Sequence, residues 1–214
     1  MKRLPRLFGT DGIRAPFGEY PLDRATATGL GHQLAQMLTR ESAAPWVVLG
    51  GDTRFSTPEL CAWLAAGLNE GGTRVRFLGA VPTPAIAFVA RTRSANAGVA
   101  VSASHNPWPD NGIKLIGGDG FKWTTDRESE LEHRLADGGR ELPAPALEPE
   151  PALVEPYAEW LRTTVPASRP LAGLRIAIDA ANGAAAPFAA PLFKDLGAEV
   201  LQLFAEPNCR NINL

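Results

Sequence analysis

The densest run of chemically capable side chains is Ser102-Ala103-Ser104-His105-Asn106-Pro107-Trp108-Pro109-Asp110-Asn111-Gly112-Ile113-Lys114. A hydroxyl, an imidazole and an amine in one short stretch suit phosphoryl transfer. The hydroxyl carries the group, cations neutralise its oxygens, and a titratable neighbour moves the proton. An unassisted serine is a poor nucleophile at neutral pH, and His105 and Lys114 are the local candidates for assisting Ser104. The same composition also describes a turn rich in Ser, Asn, Pro and Gly, with Lys114 a solvated charge at a strand end. A serine hydrolase fits less well: no Gly-x-Ser-x-Gly elbow surrounds Ser104, and triad partners normally come from distant loops.

Two smaller clusters bear on the same chemistry. In Phe8-Gly9-Thr10-Asp11-Gly12-Ile13-Arg14 the glycines flanking Asp11 permit a tight backbone with exposed N–H groups, and Arg14 can grip a phosphate with two parallel hydrogen bonds. A plain glycine turn would read the same way. Gly50-Gly51-Asp52-Thr53-Arg54 is a strand-end loop entering a helix, which is either an anion site at the helix N-terminus or an ordinary capped loop.

These clusters need a frame, and apolar runs alternating with helix-period segments supply one: an α/β fold with a mixed, mostly parallel sheet between helices. Strands are predicted at Trp46 to Leu49, Arg74 to Leu78, Gly98 to Ser102 and Ile113 to Ile116. Helices are predicted at Leu22 to Thr39, from Ser56 or Thr57 to Gly71, at Pro84 to Arg91, and as a charged surface helix at Thr124 to Leu135. The Ser104 stretch then lies at a strand's carboxyl end, where open α/β sheets hold their ligands. Residues 138–152 carry Gly138, Gly139, Pro143, Pro145, Pro149 and Pro151, which break regular structure and mark a boundary or long surface connection. Beyond it come a helix around Pro156 to Val165, a strand Leu174 to Ile178, a helix near Pro187 to Leu196 and a strand Glu199 to Phe204. That final β-α-β piece is too short to bury a core of its own.

Composition bounds the rest. The chain has 214 residues, 45% hydrophobic and 21% charged, with a net charge of -2. No basic excess points to nucleic acid or an anionic membrane, so any anion is bound by a local site. The basic start Met1-Lys2-Arg3 leads into no apolar leader and no long apolar run occurs, so the expected location is the cytoplasm. Cys61 and Cys209 have no metal or redox spacing and are expected as reduced thiols. Gly29-x-Gly31 lacks the strand and third glycine of a dinucleotide fingerprint. His32 and His133 read as helix-face side chains, Trp46 and Trp63 as core.

Taken together, the three clusters, followed by Asp179-Ala180-Ala181-Asn182-Gly183-Ala184 and Asn211-Ile212-Asn213, resemble the α-D-phosphohexomutase superfamily. The wording around Ser104 and Lys114 leans toward its glucosamine branch rather than the phosphomannomutase/phosphoglucomutase branch. The resemblance implies that residues 1–152 form a first domain carrying a phosphoserine loop, and that residues 153–214 form a connecting helix and the opening of a second, similar α/β domain. It implies that Ser104 is the phosphoserine and one Mg²⁺ ligand, that Lys114 assists as acid/base, and that Arg14 and His105 contact the phosphoserine or the reacting sugar hydroxyl. The implied reaction interconverts glucosamine 6-phosphate and glucosamine 1-phosphate through glucosamine 1,6-bisphosphate, on the route to UDP-N-acetylglucosamine and peptidoglycan. The phosphosugar is the implied partner.

Departures from the family pattern set further expectations. Ala15 stands where a glycine is usual, and Trp108-Pro109 fills a variable position. The family's Asp-x-Asp-x-Asp-Arg loop for Mg²⁺ is absent, since no two of the nine aspartates lie two positions apart. The sugar-recognition and distal phosphate loops are absent too. The expectation is therefore an amino-terminal piece of a longer enzyme, without mutase turnover by itself. Its incomplete second domain is expected to expose apolar surface, with poor solubility, self-association or reliance on contacts with the first domain as the outcome. A non-catalytic module binding a phosphosugar or a partner chain is the alternative of another class.

Overall fold

The computed structural model describes residues 6–135, 139–165 and 169–214. In chain order the first half holds β1 (Ile13–Pro16), α1 (Arg24–Glu41), β2 (Trp46–Gly51), α2 (Thr57–Glu70), β3 (Arg74–Ala80), α3 (Thr83–Thr92), β4 (Ala97–Val101), β5 (Asp110–Gly117) and α4 (Thr125–Leu135). A 3-10 turn at Pro151–Leu153 then leads into α5 (Glu155–Thr163), β6 (Arg175–Asp179), α6 (Ala186–Asp195) and β7 (Glu199–Leu203).

The continuous apolar runs of β2 and β4 are buried nearly throughout, as strands covered on both faces must be. They pair in parallel at the centre of a five-stranded sheet ordered β1-β5-β4-β2-β3. β3 joins β2 in parallel, whereas β5 is antiparallel to both β4 and β1. Four strands thus run one way and β5 opposes them, which is the mixed, mostly parallel sheet expected. One face packs Val47, Leu49, Val99, Ile113 and Leu115 against apolar residues of α1, α2 and α4. The other packs Val48, Ala100 and Ile116 against α3 and, beyond it, Leu153, Val154 and Tyr157.

Local chemistry fixes the helix starts. Asp23 caps α1, its Oδ1 accepting from the Thr26 amide at 2.9 Å and its Oδ2 from the Thr26 hydroxyl at 2.8 Å. This cap, worth about 1 kcal/mol, places the start just after the predicted Leu22. Gly31 and Gly67 let α1 and α2 approach so closely that a Cβ on Gly67 would lie 1.9 Å from the Thr28 carbonyl oxygen. Gly31 therefore serves helix packing, consistent with its lack of a nucleotide-binding pattern.

Three details differ from the sequence expectations. β1 was not anticipated, because four residues ending in proline at a sheet edge carry no alternation signal of their own. β5 begins at Asp110, ahead of Ile113, because pairing with Arg14, Ala15 and Pro16 draws the poor strand formers Asp110, Asn111 and Gly112 into the ladder. α4 is charged but not wholly at the surface: Glu128 is 1% exposed and faces Lys122, with Nζ–Oε1 at 3.2 Å. His32 is buried on its helix face beside Glu70, His133 is exposed on its own, and both cysteines are free.

The proline-rich stretch forms a strap without regular structure. The Arg140 amide donates to the Ala25 carbonyl, and the Glu150 amide reaches the Phe77 carbonyl of edge strand β3 at 2.8 Å. Prolines along the strap cannot extend the sheet, so it covers that edge without inviting further pairing. Beyond it, β6 and β7 pair in parallel as a two-stranded sheet with α6 as the crossover. Exposed and half-buried residues alternate on both strands. Aromatic packing ties α5 to α3, with the Phe88 ring 5.2 Å from Trp160 and 5.6 Å from Tyr157. Among the described residues no helix is long and apolar enough to cross a membrane.

Candidate functional site

Register brings the predicted residues to one end of the sheet. Arg14 on β1 faces Gly112 on β5, and Lys114 is the next residue along β5 on the same face, so the two cations are diagonal neighbours. That face is the α3 side, shared with Ile116 and Ala100, while Ile13 and Ile113 point into the opposite core. Close backbone contact makes the arrangement possible. A Cβ on Gly112 would lie 2.9 Å from Cδ of Arg14, and one on Gly12 would lie 2.3 Å from the Ile113 carbonyl oxygen and 3.1 Å from Cγ of Lys114.

Ser104 follows β4 and is exposed, as is His105 beside it. Its φ of +57° is in the left-handed region, a conformation that costs a non-glycine residue about 1 kcal/mol and persists only where neighbours enforce it. The enforcing bonds are numerous. The Ser104 amide donates to Ser102 Oγ at 3.0 Å, and the Asn106 side-chain amide donates to Asp110 Oδ2 at 3.0 Å. Ser56 Oγ donates to Asn111 Oδ1 at 2.6 Å, while Asn111 Nδ2 donates to the Pro109 carbonyl at 3.0 Å.

Arg54 is the central anchor. It is 1% exposed, and its Nη2 donates to the Ser104 carbonyl at 3.2 Å and to the Asn106 carbonyl at 2.9 Å. Asp52 sits against its Nε at 3.3 Å and accepts from the Thr57 hydroxyl and the Arg54 amide. Burial pushes the proton affinity of Arg54 down and Asp52 raises it, with smaller pushes downward from Arg14 and upward from Asp110. The Gly50 to Arg54 cluster therefore acts as a brace. The Arg54 guanidinium gives Nη1 and Nη2 to loop carbonyls and turns Nε to the Asp52 carboxylate, so its charge is already matched within the protein.

Arg14 is in the opposite situation. Its Nε and Nη1 are buried and have no hydrogen-bond partner among the described residues, a costly state for a cation. An anion bound against these N–H groups would satisfy them. Lys114 is half-buried, and burial lowers its pKa from the usual lysine value; Arg14 lowers it further, against opposing pulls from Asp11 and Asp52. It lines a shallow cleft of about 240 Å³ with Thr10, Asp11, Thr83 and Lys122. An amine so placed gives up and regains a proton more readily near neutral pH than a solvated lysine.

Sequence reasoning did not single out Asn213 or Arg210. Asn213 Nδ2 donates to the Ser104 carbonyl at 2.9 Å and to the Asn106 carbonyl at 3.0 Å. The Arg210 guanidinium lies 5.4 Å from the Trp108 ring and 5.8 Å from that of Phe55. The only earlier signal for Asn213 was its place in Asn211-Ile212-Asn213. Among the described residues no three His, Cys, Asp or Glu side chains gather. Mg²⁺ requires near-octahedral oxygen coordination, so these residues do not fit the ion that the resemblance implies.

Comparison with known proteins bears on the family and the fold. Residues 5–141 match the family described as phosphoglucomutase/phosphomannomutase, alpha/beta/alpha domain I. The chain is 44% identical over 212 residues to a phosphoglucosamine mutase of Solibacter usitatus, covering 97% of this chain and 47% of that protein. It is 40% identical to one of Bdellovibrio bacteriovorus, covering 100% of this chain and 49% of that protein. A solved phosphoglucomutase/phosphomannomutase family protein from Burkholderia thailandensis superposes with a TM-score of 0.79 at 30% identity, over 96% of this chain and 45% of that one. The chain thus spans about half the length of the curated relatives it matches.

Proposed function

The chain belongs to the phosphoglucomutase/phosphomannomutase family, and from that premise we propose that it carries the phosphoserine half of a phosphoglucosamine mutase. The carrying observation is the exposed Ser104, held at φ +57° just beyond β4, at the sheet end where the half-buried Arg14 has Nε and Nη1 without a hydrogen-bond partner among the described residues. The whole protein would interconvert glucosamine 6-phosphate and glucosamine 1-phosphate, with glucosamine 1,6-bisphosphate as intermediate. The names of the relatives at 40–44% identity favour glucosamine over mannose or glucose. In this reading residues 1–152 form the domain that holds the serine loop, and residues 153–214 open a second one.

In this reading the serine is loaded with the side chains present. Ser104 Oγ attacks a phosphorus of the bisphosphate; the Oγ–P bond forms as the bond from phosphorus to the sugar oxygen breaks. The hydroxyl proton leaves Oγ and a proton reaches the departing sugar oxygen, with Lys114 as the relay and His105 at hand on the same loop. Arg14 stabilises charge on the transferred oxygens through its unpartnered N–H groups. Without a carboxylate cluster among the described residues, the chain by itself is proposed to sustain no turnover.

The test is exposure of the chain to glucosamine 1,6-bisphosphate, read by intact mass and peptide mapping. One phosphoryl group on Ser104, absent from Ser104→Ala, is the expected result; modification elsewhere or none at all overturns the carrier role. The missing carboxylate cluster favours one second reading, a domain that binds a phosphosugar without transfer. Saturable binding of the bisphosphate with no loading would identify it.

A further inference from the structure

Asn213 lies far along the chain from the serine loop, yet it bonds the same two carbonyls that Arg54 holds. Each carbonyl oxygen has two lone pairs, so Ser104 and Asn106 can each accept from Arg54 Nη2 and from Asn213 Nδ2. The two hydrogens of the Asn213 amide are then fully used, one on each carbonyl flanking His105. Arg54 reaches them from the five-stranded sheet, and Asn213 from the segment beyond β7. Orienting the peptide that follows Ser104 also fixes the direction of the Ser104 side chain.

The contact is part of a continuous seam. The Phe55 amide donates to the Cys209 carbonyl at 2.9 Å, and Thr53 Oγ1 donates to the Asn182 carbonyl at 2.6 Å. The guanidinium of Arg210 faces Trp108 and Phe55, whose ring centroids are 5.5 Å apart. Trp108 belongs to the serine loop itself, so Arg210 grips by its aromatic face the loop that Asn213 grips by its backbone.

We propose that Asn213 is a positioning residue for Ser104, and that Arg210 on Trp108 is its second point of hold. The segment beyond β7 thereby sets the conformation of the phosphoryl-carrying loop. The consequence for transfer rests on the carrier reading of Ser104, whereas the consequence for loop conformation does not.

The experiment compares amide NMR spectra and bisphosphate loading of the chain with those of Asn213→Asp, Arg210→Gln and Arg210→Lys. Asn213→Asp keeps size and shape but turns an acceptor toward two acceptors. The expected result is displaced and broadened Ser104, His105 and Asn106 amide signals, unchanged β6 and β7 signals, and loading slowed about tenfold, the size of one net hydrogen bond. Arg210→Gln is expected to move the Trp108 indole N–H signal, and Arg210→Lys, which keeps the cation over the ring, to restore it. Unchanged loop signals in Asn213→Asp overturn the proposal, as does their loss together with the β6 and β7 signals, which marks a merely structural role. If Asn213→Asp fails to fold, equal loop spectra of Arg210→Gln and the parent chain overturn it instead. If the parent chain accepts no phosphoryl group, the carrier reading fails while the spectra still decide the positioning.

Discussion

Arg14 and Lys114 are diagonal neighbours of like charge, so the Arg14 guanidinium raises the cost of protonating Lys114. Lys114 already sits below the ordinary lysine pKa, chiefly through burial, and the sign of each neighbour's effect gives a direct check. Arg14→Met removes a repulsion and is expected to raise the Lys114 pKa; Asp11→Asn removes an attraction and is expected to lower it further. Titration of the lysine side-chain NMR signals reads both shifts, and movement in the same direction would contradict this electrostatic picture. Gly12 is the backbone counterpart of the pair. Its φ of +90° and the 2.3 Å approach of a notional Cβ to the Ile113 carbonyl leave no room for a side chain. Gly12→Ala is expected to cost at least about 2 kcal/mol in denaturant unfolding, combining left-handed strain with displacement of β5. A cost below about 0.5 kcal/mol would mean that the turn relaxes freely.

At the scale of elements the same steric reasoning separates two glycines. Gly67→Ala would gain about 1 kcal/mol from helix propensity, but its Cβ would meet the Thr28 carbonyl of α1. Wedging two packed helices apart outweighs that gain, and a net loss of roughly 2 kcal/mol is expected. At Gly18, where φ is +81° and no atom lies within 4 Å of the added Cβ, Ala is expected to cost only about 1 kcal/mol. The ranking of the two melting temperatures is the check. Arg54→Met is the sharper case. It strips donors from the Ser104 and Asn106 carbonyls and strands Asp52, at 6% exposure, without its cation. An expected loss of about 3 kcal/mol follows from leaving one buried charge of a pair. The same elements show what the sequence could disclose. Continuous apolar runs announced β2 and β4, and the density of polar side chains announced the Ser104 loop, because both signals are local. β1 escaped because its hydrogen bonds come from β5, far along the chain. The role of Arg54 escaped for a related reason: a basic residue at a helix start reads as an anion site until the fold shows three carbonyls in front of it.

The whole molecule is uneven in how well its strands are protected. β4 is buried along its length, with neighbours on both sides and helices on both faces, whereas β6 and β7 have only each other as strand partners among the described residues and leave alternate residues exposed. Leu201 at 61% exposure, Leu203 at 42% and Phe204 at 55% gather on this smaller sheet. Amides of β6 and β7 are therefore expected to exchange through a local opening well below the free energy of global unfolding, while those of β4 exchange only with the whole. Equal protection across both sheets would show one cooperative unit and remove the basis for treating residues 153–214 as a separate opening domain. The outward leucines also give the proposed self-association a definite face. A Leu201→Ser and Leu203→Ser double variant is expected to sediment as a monomer at concentrations where the parent chain associates, because it withdraws apolar area from an unpaired sheet without touching its hydrogen bonds. If the parent chain remains monomeric across that range, the exposed leucines of β7 do not drive self-association.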